Sequence, residues 1–197
     1  GIETGNAVAQ ILFGIHSPSG KLPFSIPHSV EQLPSYTDYH LSTYPGRTFQ
    51  WYTMYKQNPY LYEFGYGLSY TTFCYSQLTI HYNQSQSLSI IVTICNTGQR
   101  VGNEIVQLYS TWHLNSSTTY RVPIRQLISF QSIYNIHPNE IRQVRLIVPI
   151  NNFALYNESG QQVIPKATVT LCVGGHQPTV YSTISNCSSI CQTIQTN

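Results

Sequence analysis

The sequence predicts a mainly β protein, an antiparallel β-sandwich preceded by a helix-and-strand unit of α/β character. Three observations carry this expectation. From Cys74 onward, short runs rich in Val, Ile, Leu and Thr recur between turn signals. Ahead of them lies an aromatic stretch, broken by prolines, in which no periodicity survives. At the start, an apolar spacing of helical period is followed by one of period two.

The first element is "TGNAVAQILFG", residues 4–14, where Val8, Ile11 and Leu12 fall at the i, i+3, i+4 spacing of one helical face and Gly14 is a natural terminator. "SPSGKLPFSIP", residues 17–27, then alternates Leu22, Phe24 and Ile26 with Lys21, Pro23 and Ser25. That alternation reads as a strand, and Pro23, which lacks an N–H, confines it to an edge. A helix of about ten residues and one edge strand cannot bury their apolar faces on each other. Residues 1–30 are therefore expected to be the last helix and strand of a larger α/β domain whose bulk lies upstream.

Residues 31–73 form a connector. Pro34, Pro45 and Pro59 interrupt it, and it carries many aromatic rings, ending in "LYEFGYGLSYTTF" at 61–73. Exposing such rings costs about 25 cal/mol per Å², so the connector is expected to lie packed on a surface. Phe64, Tyr66 and Tyr70 supply area for that packing; Gly65 and Gly67 permit close approaches that side chains forbid. Aromatic rings in this segment also suit a sugar-stacking platform, the competing role.

Residues 74–178 read as the sandwich. "LSIIVTICN" (88–96), "EIVQLYST" (104–111), "IRQLISF" (124–130), "IRQVRLIVPI" (141–150) and "KATVTLCVG" (166–174) are strand-like, with turn signals at Asn96-Thr97-Gly98, Pro138-Asn139, Ser159-Gly160 and Gly174-Gly175. This spacing suits a sandwich of immunoglobulin or fibronectin type III kind. Residues 179–197 read as a polar tail.

Charged residues make up 8% of the 197, and the net charge of +2 comes from scattered Lys and Arg without a basic run. A nucleic-acid partner is not expected on such a surface. No run approaches the roughly 18 apolar residues of a membrane span, so a membrane is not expected as a partner. Four N-x-S/T sequons, beginning at Asn83, Asn115, Asn157 and Asn186, point to export and N-glycosylation. Any signal peptide is expected upstream.

Five cysteines, 74, 95, 172, 187 and 191, lack the paired CxxC spacing of a zinc site, and the seven histidines have no ligand-like clustering. No metal or cofactor is expected. Cys187 and Cys191, four apart, allow either a disulfide or free thiols; Cys95 and Cys172 read as small buried apolar residues. The odd count leaves one cysteine unpaired within the chain.

Several segments together resemble glycoside hydrolase family 3. "GNAVAQILFGIHSPSGKLPFSIPHS" is similar to the end of that family's α/β sandwich domain, "YPGRTFQWYT" and "YEFGYGLSYTTF" to its connector signatures, and "NTGQRVGNEIVQLY" to the first long hairpin of its fibronectin type III-like domain. "PSYTDYHLSTYPGRTF" most resembles the β-xylosidase branch. Two departures from the pattern are Ser129, where Gly is common before Phe130, and Asn139, which replaces Gly in "HPNE" yet tolerates the left-handed conformation the turn needs.

The resemblance implies a retaining hydrolase of terminal β-linked sugars, using an Asp nucleophile on a (β/α)₈ barrel and a Glu acid/base in the α/β domain. Neither position falls in this sequence, so no catalytic residue is assigned to it. The partners implied are the upstream barrel and α/β domains and, through the parent enzyme, an oligosaccharide. The seven acids have structural readings instead: Glu3 at a helix start, Glu31 just ahead of the connector, Asp38 and Glu63 within it, and Glu104, Glu140 and Glu158 at strand or turn positions. Arg47 with Asp38 reads as an ion pair pinning the connector, with direct substrate contact by Arg47 as the other role. "FGYGLSY" lacks the spacing of a nucleophile elbow, and "VGGH" at 173–176 has no helix after it to cradle phosphate. The alternative to a hydrolase fragment is a stand-alone fibronectin-like module for carbohydrate binding or adhesion, which has no use for the helix and strand before residue 30.

Overall fold

A computed structural model describes residues 1–32, 61–83, 86–114, 125–157, 159–178 and 187–196. The predicted helix is α1, Thr4–Leu12. Phe13 caps it, and Gly14 follows at φ +73°, a left-handed turn that a side chain resists. None of its residues is buried among the described ones.

Among the described residues nine strands follow: β1 (Phe73–Asn83), β2 (Ser87–Asn96), β3 (Gly102–His113), β4 (Gln126–Ile136), β5 (Ile141–Pro149), β6 (Leu155–Tyr156), β7 (Gln162–Val163), β8 (Thr168–Gly174) and β9 (Ser189–Gln195). They assemble as a three-stranded sheet, β1-β2-β5, facing a four-stranded sheet, β4-β3-β8-β9, with β6-β7 a small ribbon. Every ladder is antiparallel. Leu88, Ile90, Val92 and Ile94 of β2 and Val144, Leu146 and Val148 of β5 meet Val106, Leu108 and Trp112 of β3 and Val169, Leu171 and Val173 of β8. The period-two spacing of these residues is what selects one face of each sheet for burial.

Three expectations need correction. The strand expected at residues 21–26 does not form a continuous ladder. Ile26 and Tyr62 exchange backbone hydrogen bonds, Leu22 N donates to Tyr66 O and Gly65 N to Leu22 O, but Pro23 and Pro27 have no N–H to extend the pairing. The expected polar tail contains β9, which pairs with β8 over its whole length. Only Ile190 and Ile194 of β9 turn toward the core, too few apolar positions for a composition-based reading to register. Finally, Cys172 is not a plain buried thiol: it is bonded to Cys191, and Cys187 is not bridged to Cys191.

The turn at Asn139 adopts φ 62°, as its sequence allows. Gln77 (φ 55°) sits where the β1–β2 register shifts, a bulge without a glycine to announce it.

Candidate functional site

The functional feature among the described residues is the seam where the N-terminal segment meets the outer face of the four-stranded sheet. Gln107 of β3 is a polar residue in an apolar run, and it is 2% exposed. Its amide nitrogen donates to Gly65 O (3.0 Å) and to Gly175 O (2.9 Å), tying the connector to the end of β8. Its amide oxygen accepts from the Tyr109 hydroxyl at 2.5 Å. Gly65 is at φ +79°, and a Cβ there would collide with Gln107 Oε1 and the Tyr109 hydroxyl. Both requirements, a left-handed backbone and no side chain, select glycine.

Lys21 Nζ lies 2.9 Å from Glu104 Oε1, with side chains 13% and 6% exposed. Burial pushes the Glu104 carboxyl above its ordinary range, against the pull of the Lys21 ammonium and its hydrogen bond. Tyr75, next to this pair, is also buried, and that burial with the Glu104 charge raises its phenol well above the usual value. Glu63 is raised by burial, opposed by Arg125; Arg125, in turn, is lowered by burial and supported by Glu63.

The remaining connector residues anchor the same seam. Phe64 N donates to Ser25 Oγ (3.0 Å), Tyr66 packs its ring 4.9 Å from that of Tyr62, and a Cβ on Gly67 would collide with Gly20 O. Tyr70 N donates to Ser17 Oγ (3.0 Å) and its hydroxyl to Ile11 O (2.8 Å), while Arg100 lies over its ring at 5.7 Å. Buried Asn96, which accepts from Thr71 Oγ1 (2.6 Å) and donates to Arg100 O (2.7 Å) and Ile136 O (2.8 Å), fixes the β2–β3 turn. Asn96 is legible in the sequence only as the first residue of a turn signal and not as a buried hydrogen-bonding centre; Gln107 is not legible as a site residue, its one signal being a polar residue inside an apolar run.

Arg47, Asp38, Glu158, Asn115 and Asn186 lie outside the described residues. Asn83 ends β1. Asn157 precedes the β6–β7 turn, its Oδ1 accepting from Gln161 N (2.9 Å) and its Nδ2 donating to Gln161 Oε1 (3.2 Å). Four of the five described acids are directly partnered: Glu3 accepts from Asn6 (2.7 Å), Glu31 from Ser29, Glu140 from Arg142 (2.6 Å), and Glu104 is paired with Lys21; Glu63 feels the charge of Arg125. Among the described residues no three His, Cys, Asp or Glu side chains are grouped to hold a metal ion, and no helix is long and apolar enough to cross a membrane.

Comparison with known proteins divides the chain at the same seam. Residues 1–70 match the Glycosyl hydrolase family 3 C-terminal domain, and residues 104–177 match the Fibronectin type III-like domain. The chain carries a segment of the glycoside hydrolase family 3 C-terminal domain followed by a fibronectin type III-like domain. The family 3 match runs through the connector to Tyr70, well past the residue 30 at which composition places the end of the α/β portion.

Among curated relatives, the chain is 37% identical over 172 residues to "Periplasmic beta-glucosidase" of Salmonella typhimurium, which covers 80% of this chain and 21% of the relative. It is 33% identical over 176 residues to "Probable beta-glucosidase J" of Neosartorya fischeri, with coverages of 81% and 20%. Among solved structures, β-glucosidase 3B of Thermotoga neapolitana in complex with α-D-glucose superposes with a TM-score of 0.73 at 29% identity, over 98% of this chain and 26% of that one. The β-D-glucoside glucohydrolase of Trichoderma reesei gives 0.72 at 27% identity, over 98% and 29%. The chain thus spans about a fifth of the length of the curated relatives it matches.

Proposed function

We propose that this chain is the non-catalytic C-terminal portion of a retaining family 3 glycosidase that removes terminal β-linked sugars. The observation that carries the reading is the family 3 segment itself. Its helix end presents Leu12 and the capping Phe13 to solvent at 75% and 85% exposure, while the segment is held to the sandwich by the Lys21–Glu104 ion pair and by Gln107, which donates to Gly65 O. A helix of nine residues is marginal alone, so an apolar face left open calls for a covering domain. The upstream barrel and α/β domains are that partner, and the sandwich buttresses them from outside.

Four of the five described acids, Glu3, Glu31, Glu104 and Glu140, are held in ion pairs or hydrogen bonds and the fifth, Glu63, is buried near the charge of Arg125, which suits a supporting role; the nucleophile and acid/base belong to the upstream domains. The named relatives are β-glucosidases, one of them periplasmic, which supports a β-glucosyl substrate and a periplasmic or extracellular site. The finer reading, a β-xylosidase acting on xylan-derived oligosaccharides, rests on the "PSYTDYHLSTYPGRTF" segment.

The test is hydrolysis of 4-nitrophenyl β-D-glucoside and β-D-xyloside by the 197-residue chain and by a protein that includes the upstream domains. The reading expects no turnover by the former and turnover by the latter, with the preferred glycoside deciding between glucosyl and xylosyl. Turnover by the chain alone overturns it. Retardation of the chain alone on xylan gels supports the stand-alone binding module instead.

A further inference from the structure

Three thiols meet where β1 begins. Cys74 of β1 and Cys95 of β2 are register partners, and Cys187 lies just ahead of β9. Cys187 O accepts a 2.6 Å hydrogen bond from Tyr75 N, on the edge of β1 that faces away from β2. The two thiols are close enough to act on each other: after burial, Cys187 is the next cause that pushes the Cys74 thiol up. None of the three takes part in the Cys172–Cys191 bridge.

The two neighbours of Cys74 are not equivalent. Thr97 N donates to Thr72 O, so residues 72 and 97 are a hydrogen-bonded pair. By the two-residue alternation of an antiparallel ladder, Cys74 and Cys95 are one as well, the type in which Cα atoms stand about 5.5 Å apart and side chains are held further from each other. The existing bridge shows the contrasting arrangement. Thr196 N donates to Ala167 O, which makes Cys172–Cys191 a non-hydrogen-bonded pair, and its Cα atoms are 4.1 Å apart. Cys187 is under no ladder constraint relative to Cys74, because it approaches from the open edge with its backbone already bonded to the next residue. That contact seats Cys187 beside Cys74 at the open edge of β1, with no second ladder bond to fix how far apart the two side chains stand.

We propose that Cys74 and Cys187 close a second intrachain disulfide in an oxidising compartment, leaving Cys95 as the chain's single thiol. The oxidant is a low-molecular-weight disulfide, RSSR. Exposed Cys187 reacts first: its thiolate attacks one sulfur of RSSR, forming a mixed disulfide and expelling RS⁻, which takes up a proton equivalent to the one Cys187 lost. Cys74 then gives its proton to solvent and attacks Sγ of Cys187, breaking the mixed disulfide and expelling the second RS⁻, which is protonated in turn. Two electrons and two protons pass from the protein to the oxidant, giving one protein disulfide and two RSH. The bridge ties β1 of the three-stranded sheet to the lead-in of β9 in the four-stranded sheet, whereas Cys172–Cys191 stays within one sheet.

The experiment is disulfide mapping of the protein exported by an oxidising host and purified without reductant. Free thiols are blocked with N-ethylmaleimide in acidic denaturant, and the digest is read by mass spectrometry before and after reduction. The expected result is a linked peptide pair containing Cys74 and Cys187, a second containing Cys172 and Cys191, and N-ethylmaleimide on Cys95 alone. Blocked Cys74 and Cys187, or a link from either of them to Cys95 or Cys191, overturns the proposal. Exposing the reduced protein to oxidised glutathione is an independent arm: the bridge is expected to form with no lasting adduct, and a persistent glutathione adduct on Cys187 contradicts it. Cys187→Ser is expected to leave Cys74 and Cys95 both reactive, and Cys95→Ser to leave no reactive thiol. Mapping of the unsubstituted protein decides the matter should either variant fail to fold.

Discussion

Lys21 and Glu104 form a nearly buried ion pair, 2.9 Å apart, between the N-terminal segment and the start of β3. Its two members are held differently. Glu104 is fixed on β3, opposite Ile133 of β4, whereas Lys21 sits in a segment attached by a few hydrogen bonds to residues 62–66. Lys21→Met therefore strands a carboxylate in the sandwich and is expected to cost about 3–5 kcal/mol at neutral pH. Glu104→Gln leaves a lysine able to swing into solvent and is expected to cost less. Urea unfolding of both single variants and the double variant measures the two losses and their coupling; equal, additive losses would show the pair to be energetically idle.

Stability is expected to fall as pH rises. Burial lifts both Glu104 and Glu63 above 4.5, so the folded state binds more protons than the unfolded chain in that range. Their stabilising contribution is complete below the unfolded value and is lost as pH climbs through the folded ones. Glu63→Gln is expected to flatten this decline as pH rises above 4.5. Unfolding free energies across that range check it, and an unchanged slope contradicts it.

Gly65→Ala is expected to cost about 2–4 kcal/mol, since it adds a Cβ to a left-handed backbone pressed against Gln107 and Tyr109. Gly160→Ala is the control: Gly160 is also left-handed, at φ +73°, but nothing lies within 4 Å of where its Cβ would be. Thermal melts of the two variants separate strain from collision, and equal losses would remove collision from the account.

Asn96→Ala removes the acceptor of Thr71 Oγ1 and Gly98 N and the donor to Arg100 O and Ile136 O from a fully buried site. The orphaned partners are expected to lower stability by about 2–4 kcal/mol. Denaturant titration with an unchanged m-value checks this.

Sheet membership was legible wherever strands alternate. β5 buries Val144, Leu146 and Val148 and exposes the residues between them, and β2, β3 and β8 carry enough Val, Ile and Leu to declare themselves. The end of α1 at Gly14 and the turn at Asn139 were legible because left-handed backbone leaves a residue signature. β9 was not, because its stability comes from pairing with β8 and from one disulfide, neither of which alters its polar composition. The seam was half legible. The glycines and aromatic rings at 64–70 mark a packed segment, but the residue that receives it, Gln107, is 42 positions from Gly65 and looks in sequence like an ordinary outward-facing strand position.

The most direct test of the account is amide hydrogen exchange on α1, measured in the monomeric 197-residue chain and in a protein that includes the upstream domains. The account predicts near-unprotected exchange for residues 7–12 in the chain alone and strong protection in the longer protein, because the helix's apolar face is covered only there. Firm protection of those amides in the monomeric chain would contradict it.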